Sequence, residues 1–319
     1  RQRQMCIRDR MNRIFYILVI CCQAFGLSAQ SVADAGLFTY SAAGTVTASL
    51  GGNGVAWGPD AFAVFRNSAQ GALADAKVIA GYAVSSWMPG WDLADRHWIH
   101  DAGGLFTFGG RQAVLTGVRY LNLPIVELTD EEGNLQSRFT PYALEVDAGY
   151  AYAWRGKLAA GLTCRYSRLD QKTLLTTYIA CDLSLFYRDS LAGHPYFWQA
   201  GMQLSNIGEA YLPLKIEYAV SAGWEQGAHR VMCTGGIAHQ ELAYGFCTLG
   251  SAGVEYSFRK KIFLRGGYRS GRPAKGIFAC TALGGGMKWH GIGLDATWRL
   301  ASSDSPQRNA WHLALTFAI

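Results

Sequence analysis

The sequence predicts an all-β fold: a transmembrane antiparallel β-barrel of about 14 strands with a short N-terminal plug segment. Three observations predict it. The chain opens on an export-type leader. Its composition is poor in charge, with 16% Asp, Glu, Lys and Arg, yet it holds 38 Gly, 16 Tyr and 10 Trp among 319 residues. Beyond the leader, segment after segment alternates between apolar and small or polar residues, and no window is apolar enough for a membrane-spanning helix. A chain that crosses a bilayer without such helices must satisfy its backbone by closing a sheet on itself.

The elements follow in order. Residues 1–10, RQRQMCIRDR, precede Met11 and read as a non-native leader. Residues 11–30 read as a signal peptide: Arg13, the apolar IFYILVICC and the small-residue exit Leu27-Ser28-Ala29 predict cleavage after Ala29 or Gln30. The apolar run is short for a membrane anchor, which needs roughly 20 such residues. Residues 31–76 are assigned to the plug segment and 77–319 to the barrel. The leader also carries most of the charge. The formal net charge is +6, and residues 1–30 supply five Arg and one Asp, or +4, leaving +2 for the rest. A near-neutral remainder points away from nucleic acid as a partner. Five cysteines follow the leader, Cys164, Cys181, Cys233, Cys247 and Cys280. Their wide spacing argues against a zinc site, and they read as small apolar residues within strands.

The strand pattern is clearest at residues 143–154. Leu144, Val146, Ala148, Tyr150, Tyr152 and Trp154 share one face, and Ala143, Glu145, Asp147, Gly149, Ala151 and Ala153 the other. The first face suits outer-membrane lipid and the second a lumen. After the turn Arg155–Lys157 the pattern resumes, placing Arg165 where it can face Asp147 or Glu145. Residues 214–224, 292–300 and 311–319 alternate as well. Weaker candidates lie near 77–87, 101–108, 112–121, 173–187, 197–206, 229–238, 241–249, 251–259, 261–270 and 275–286. That makes about 15 segments, and barrels of this kind hold even numbers of strands, ~8 to 26, hence the expectation of about 14. The lumen-facing charges would be Glu145, Asp147, Arg165, Lys215, Glu217, Arg265, Asp295 and Arg299, paired across strands inside a closed barrel. Short turns are assigned to the periplasmic side. The long connections, residues 87–100, 123–139 and 301–309, are assigned to the outside. The first two supply candidate partner contacts: Trp87, Trp91 and His97, and then Asp130, Glu131 and Asn134 in the polar turn TDEEGN.

Residues 51–70, GGNGVAWGPDAFAVFRNSAQ, lack alternation and lie ahead of the first strand, which favours a plug folded into the lumen over a first strand pair. Pro59-Asp60 would start a short helix, with Asp60 near its positive end. These residues carry a family resemblance. Gly51-Gly52-Asn53-Gly54-Val55, then Pro59-Asp60-Ala61, then Asn67-Ser68-Ala69 resemble the amino-terminal motif of PorV/PorQ-type outer-membrane barrels of the type IX secretion system, which are related in fold to the FadL transporters. Ser68 stands where the family has proline. Residues 111–154, with the TDEEGN loop, and the pieces DLSLFYRD and LSNIG are similar to later parts of the same family.

The resemblance implies an integral protein of the Gram-negative outer membrane that binds or hands over secreted cargo for cell-surface attachment. Its partners would be the cargo's C-terminal domains and secretion or attachment subunits. It does not decide between a PorV-like and a PorQ-like role. The plug motif would comprise Gly51, Gly52, Gly54, Asp60 and Asn67. No catalytic, cofactor or metal role is expected. Asp95, His97, His100 and Asp101 form the nearest approach to a base or metal cluster, without an accompanying nucleophile. The alternatives are a FadL-like transporter of small hydrophobic molecules, which calls for an apolar lumen track, and a general porin, which calls for an open lumen with opposed charge stripes.

Overall fold

The computed structural model describes residues 42–319 except 88, 90–96, 124, 130–134, 172–174, 209–211, 213, 242–245, 276 and 306. The expected leader, signal peptide and residues 31–41 therefore lie outside the described residues, as do Trp91, Asp130, Glu131 and Asn134.

Sixteen strands follow in chain order: β1 (Val78–Trp87), β2 (His97–Phe108), β3 (Gln112–Asn122), β4 (Val126–Thr129), β5 (Leu135–Phe139), β6 (Tyr142–Trp154), β7 (Leu158–Asp170), β8 (Leu175–Ser190), β9 (Tyr196–Ile207), β10 (Lys215–Gln226), β11 (His229–Gln240), β12 (Cys247–Phe258), β13 (Ile262–Arg269), β14 (Cys280–Trp289), β15 (Ile292–Ala301) and β16 (Trp311–Ala318). Fourteen of them close into one antiparallel barrel, each pairing with its neighbours, and β4–β5 form a separate hairpin in the connection from β3 to β6. Closure is made by β1 and β16, in register from Ile79↔Ala318 to Ser85↔His312. The C-terminal residue completes the seam: the Ile319 carbonyl accepts from the amides of Lys77 (2.7 Å) and Val78 (3.0 Å). A closed ring leaves no strand edge unpaired, which is what a bilayer demands of a sheet.

The alternation read from the sequence is the in–out alternation of the wall. On β3, Ala113, Leu115, Arg119 and Leu121 are buried and Val114, Val118 and Tyr120 are exposed. Polar groups on the outer face pair with one another. The Tyr82 hydroxyl meets His100 Nδ1 at 2.5 Å, Tyr218 meets His239 Nε2 at 2.8 Å, and Tyr256 meets His229 Nδ1 at 2.8 Å. Each imidazole thus keeps a partner where water is scarce. The connections fall into two sets. Six short ones of two to five residues lie at one end, with both barrel termini, and seven of four to nineteen residues lie at the other.

Three boundaries differ from expectation. The segments at 241–249 and 251–259 are one strand, β12, because β11 ends at Gln240 and pairs there with Cys247. The long connection after β3 contains the β4–β5 hairpin. The first long connection is shorter than expected: Trp87 closes β1 and His97 opens β2, directly opposite each other in the ladder.

Candidate functional site

Residues 42–76 lie within the ring. α1 (Thr45–Ser49) packs against β13–β16, and a 3-10 helix at Ser68–Leu73 packs against β2, β3, β6, β7 and β8. The fold of this segment turns on one side chain. Arg66 donates through Nε to the Gly54 carbonyl (3.2 Å), through Nη1 to Thr47 Oγ1 (3.2 Å) and through Nη2 to the Gly58 carbonyl (3.0 Å), and its Nη2 lies 2.8 Å from Asp60 Oδ2. Gln70 Nε2 donates to the carbonyls of Gly54 and Val55, each at 2.8 Å. A buried guanidinium held in this way ties the backbone at Gly54 and Gly58 to the side chains of Thr47 and Asp60.

The motif residues take their places around that centre. A Cβ on Gly54 would lie 2.7 Å from Thr47 Oγ1 and collide with the Arg66 stem, so only glycine lets the guanidinium pass. Gly51, at φ +71°, lies against the Tyr268 backbone. Gly52 donates to the Thr47 carbonyl at 2.9 Å. Asp60 does more than lead a helix: its Oδ1 accepts from the Phe62 amide at 2.8 Å while Oδ2 pairs with Arg66, and the helical turn itself waits until Ala63–Phe65. Asn67, fully buried, donates through Nδ2 to the Val55 carbonyl (2.8 Å) and to the Leu185 carbonyl of β8 (3.0 Å). Ser68 Oγ sits 3.1 Å from Ser184 Oγ.

The wall receives this segment on inward glycines. A Cβ at Gly201 would meet the Val55 carbonyl, one at Gly117 the Phe65 ring, one at Gly253 the Leu50 side chain and one at Gly284 the Ser49 side chain. The glycine richness of the sequence is in part this: strand positions left empty so that a second layer of backbone fits inside the ring.

Between the glycines run the lumen charges. Glu145, Asp147 and Arg165 belong to one network with Asp101, Arg119 and Asp182. Arg165 donates to both Asp147 oxygens (3.1 Å each), lies 3.0 Å from Asp182 and 3.5 Å from Glu145, and donates to Asn206 Oδ1 (2.9 Å). Arg119 lies 2.9 Å from Asp101. Arg265 bridges Glu255 (2.6 Å) and Asp295 (2.5 Å). Lys215 and Glu217 pair with each other at 2.9 Å, and Arg299 reaches Gln307 Oε1 at 3.3 Å. Asp101, Arg119, Asp182 and Glu255 were not among the lumen charges expected from the sequence, although the same every-second-position signal marks them. Arg66 and Gln70 carry no periodic signal at all.

Two rim assignments need correction. His97 is a strand residue, inward and 4% exposed, rather than a loop contact. The cluster around it divides by strand parity: His97 and Asp101 turn inward, His100 turns outward to Tyr82, and Asp95 lies outside the described residues. Trp87 likewise belongs to β1.

Two cavities border the lumen segment. One of about 130 Å³ lies toward the long connections, among Gly52, Arg66, Arg119, Lys215 and Arg269. The other, about 580 Å³, opens at the short-turn end.

Comparison with known proteins places this architecture. A family model described as "Type IX secretion system protein PorV" matches residues 27–235. No curated protein matches. Among solved structures, the chain is similar to the Ralstonia pickettii toluene transporter TbuX, with 12% identity over 88% of this chain and 100% of that one, at a TM-score of 0.55. It is similar to the P. putida toluene transporter TodX, with 9% identity over 88% and 99%, also at 0.55. The CymD monoaromatic hydrocarbon channel shares 12% identity over 88% and 99%, at 0.53. At such identities the likeness is one of fold.

Proposed function

The chain belongs to the PorV family of type IX secretion system proteins and is an integral barrel of the outer membrane, and from that premise we propose that it binds secreted cargo at its long-connection rim and hands it over for attachment at the cell surface. The observation that supports this reading is the occupied lumen. Arg66, Asn67 and Gln70 are buried at the centre of the ring, and inward glycines fit the wall to the segment they organise. A barrel filled in this way is suited to holding a shape rather than to conducting a solute. Its working surface is then the crown of long connections, with Trp91, Asp130, Glu131 and Asn134 as contacts and Trp87 at its base. The partners are the cargo's C-terminal domains and the secretion or attachment subunits.

A transporter of small hydrophobic molecules would draw on the same fold, but buried Arg, Asp and Glu interrupt the apolar patches of the inner face, and the largest of those patches is packed against residues 63–73. The test is complementation of a deletion strain. The full chain should restore surface display of type IX substrates. A variant with residues 130–134 replaced by Gly and Ser should still migrate as a heat-modifiable barrel but leave the substrates unattached. Normal display by that variant would refute the assignment of this loop, and normal display in the deletion strain would refute the cargo role.

A further inference from the structure

We propose that the cavity at the short-turn end is a docking site for an acidic polypeptide segment of a soluble partner on that side of the membrane. Besides Arg265, six cations border it: Arg188, Arg230, Arg259, Lys260, Lys261 and Lys288. Two carboxylates share the mouth with them. Asp75 lies 3.4 Å from Arg188, and Glu225 lies 2.6 Å from Lys260 and 3.9 Å from Arg230. Six against two leaves an excess of positive charge at the mouth; with Arg265 and the deeper Asp60, Glu255 and Asp295 counted as well, seven cations face five carboxylates. The deeper acids are spent inside the fold, Asp60 on Arg66 and both Glu255 and Asp295 on Arg265.

Direction excludes the simplest occupant. Lipid headgroups lie outside the ring, whereas Arg230 and Lys288 sit at inward strand positions, in step with the buried Met232 and Ala282, and Arg188 is in step with Phe186. Spread excludes the next. The cations come from β8, β11, the β12–β13 turn and β14, so they ring the cavity and do not converge on a point as a small oxyanion would require. Trp57, Pro59, Phe62 and Phe263 add apolar surface between them, beside the internally paired Asp60, Glu255, Asp295 and Arg265. A ring of positive charge with apolar surface inside it complements a chain bearing carboxylates and apolar side chains together.

The test uses the full-length barrel in phosphatidylcholine nanodiscs and a fluorescein-labelled peptide of alternating Glu and Leu, with an alternating Lys and Leu peptide as control. The acidic peptide should bind and the basic one should not, and binding should weaken on raising salt from about 0.05 to 0.3 M as screening shortens the field. The combined Arg259→Glu, Lys260→Glu and Lys261→Glu variant should lose about tenfold or more in affinity, while Arg111→Glu on the β2–β3 turn, which does not border the cavity, should change it by less than about twofold. Amine labelling of the unmodified barrel gives a reading independent of any variant: bound peptide should protect Lys261 and Lys288 but not Lys215, which lies at the long-connection end. Equal protection of all three lysines, equal loss in both variants, or equal binding of both peptides would overturn the proposal. So would abolition of binding in phosphatidylglycerol discs, which would assign the cations to headgroups, or tighter binding of polygalacturonate, which would assign them to a polysaccharide.

Discussion

Two arcs of the barrel wall hold the lumen segment by different means. Across β7–β10 the contact is directional. Asn67 donates to the Leu185 carbonyl, the Ala69 amide donates to Ser184 Oγ at 3.1 Å, and Ser221 Oγ donates to the Ala56 carbonyl at 2.6 Å. Across β13–β16 the contact is mainly one of shape, with Leu50 and Ser49 seated on Gly267 and Gly284 and one hydrogen bond, Thr297 Oγ1 to the Thr45 carbonyl, at 3.0 Å. The buried charges divide along similar lines. The first arc shares the extended network around Arg165, whose Asp147 and Asp182 border neither of the two cavities. The second holds the Arg265 trio, whose Glu255 and Asp295 line the open short-turn cavity. One arc therefore anchors the segment, and the other accommodates it. If the segment ever shifts, the difference dictates that α1 leaves first.

The largest test of this contrast compares two arginines. Arg165→Ala strands Asp147 and Asp182, which line neither cavity, without their counter-charge, and removing one partner of a buried pair costs about 3–5 kcal/mol. Arg265→Ala strands Glu255 and Asp295 beside a cavity from which water can solvate them, so its cost should fall below that range. Urea denaturation in detergent, followed by loss of the fast-migrating form on unheated gels, ranks the two. Equal losses would erase the distinction between the arcs.

A middle-sized effect is expected at Asn67. Asn67→Ala removes both amide donations, leaving the Val55 carbonyl to Gln70 and the Leu185 carbonyl without its bond to the segment, at about 1–3 kcal/mol. Because one of those bonds crosses to β8, the loss should fall on the seating of the segment more than on the ring. Ion conductance in planar bilayers should rise while the unheated gel mobility stays that of a closed barrel. A variant that conducts no more than the parent would make Asn67 dispensable to the anchor.

Which parts of this contrast the sequence displays is itself physical. The ring is legible because lipid on one side and a packed lumen on the other impose a period of two on β6, β7, β10, β15 and β16. Pairing is less legible. Residues 241–249 alternate as a strand would, but alternation does not report where β11 stops, and the strand starts only at Cys247. The β4–β5 hairpin gave no signal beyond its TDEEGN turn. Its exposed Glu127–Arg138 pair, 2.9 Å apart, shows that no apolar face is required there. The charges Glu145, Asp147 and Arg165 were readable from parity, whereas Asp101, at the edge of the 101–108 candidate, was grouped with the Asp95, His97 and His100 cluster because the strand actually begins at His97. Arg66 was beyond reach. Its partners Thr47, Gly54, Gly58 and Asp60 lie six to nineteen residues away at no regular interval, and only the folded segment brings them together.

The smallest effect probes the accommodating arc. Thr297→Val keeps the branched shape on β15 and deletes the hydroxyl that reaches the Thr45 carbonyl in α1. A single neutral hydrogen bond contributes about 0.5–1.5 kcal/mol. If shape does most of the holding on this arc, the seats on Gly267 and Gly284 keep α1 in place without the hydroxyl. Amide exchange of residues 45–49 should then quicken only modestly, while residues 67–73 on the anchoring arc keep their protection. A release of α1 as complete as that produced by Asn67→Ala would show that this arc, too, depends on its directional bond. The glycines would then be mere clearance, and the two arcs would hold the segment in the same way.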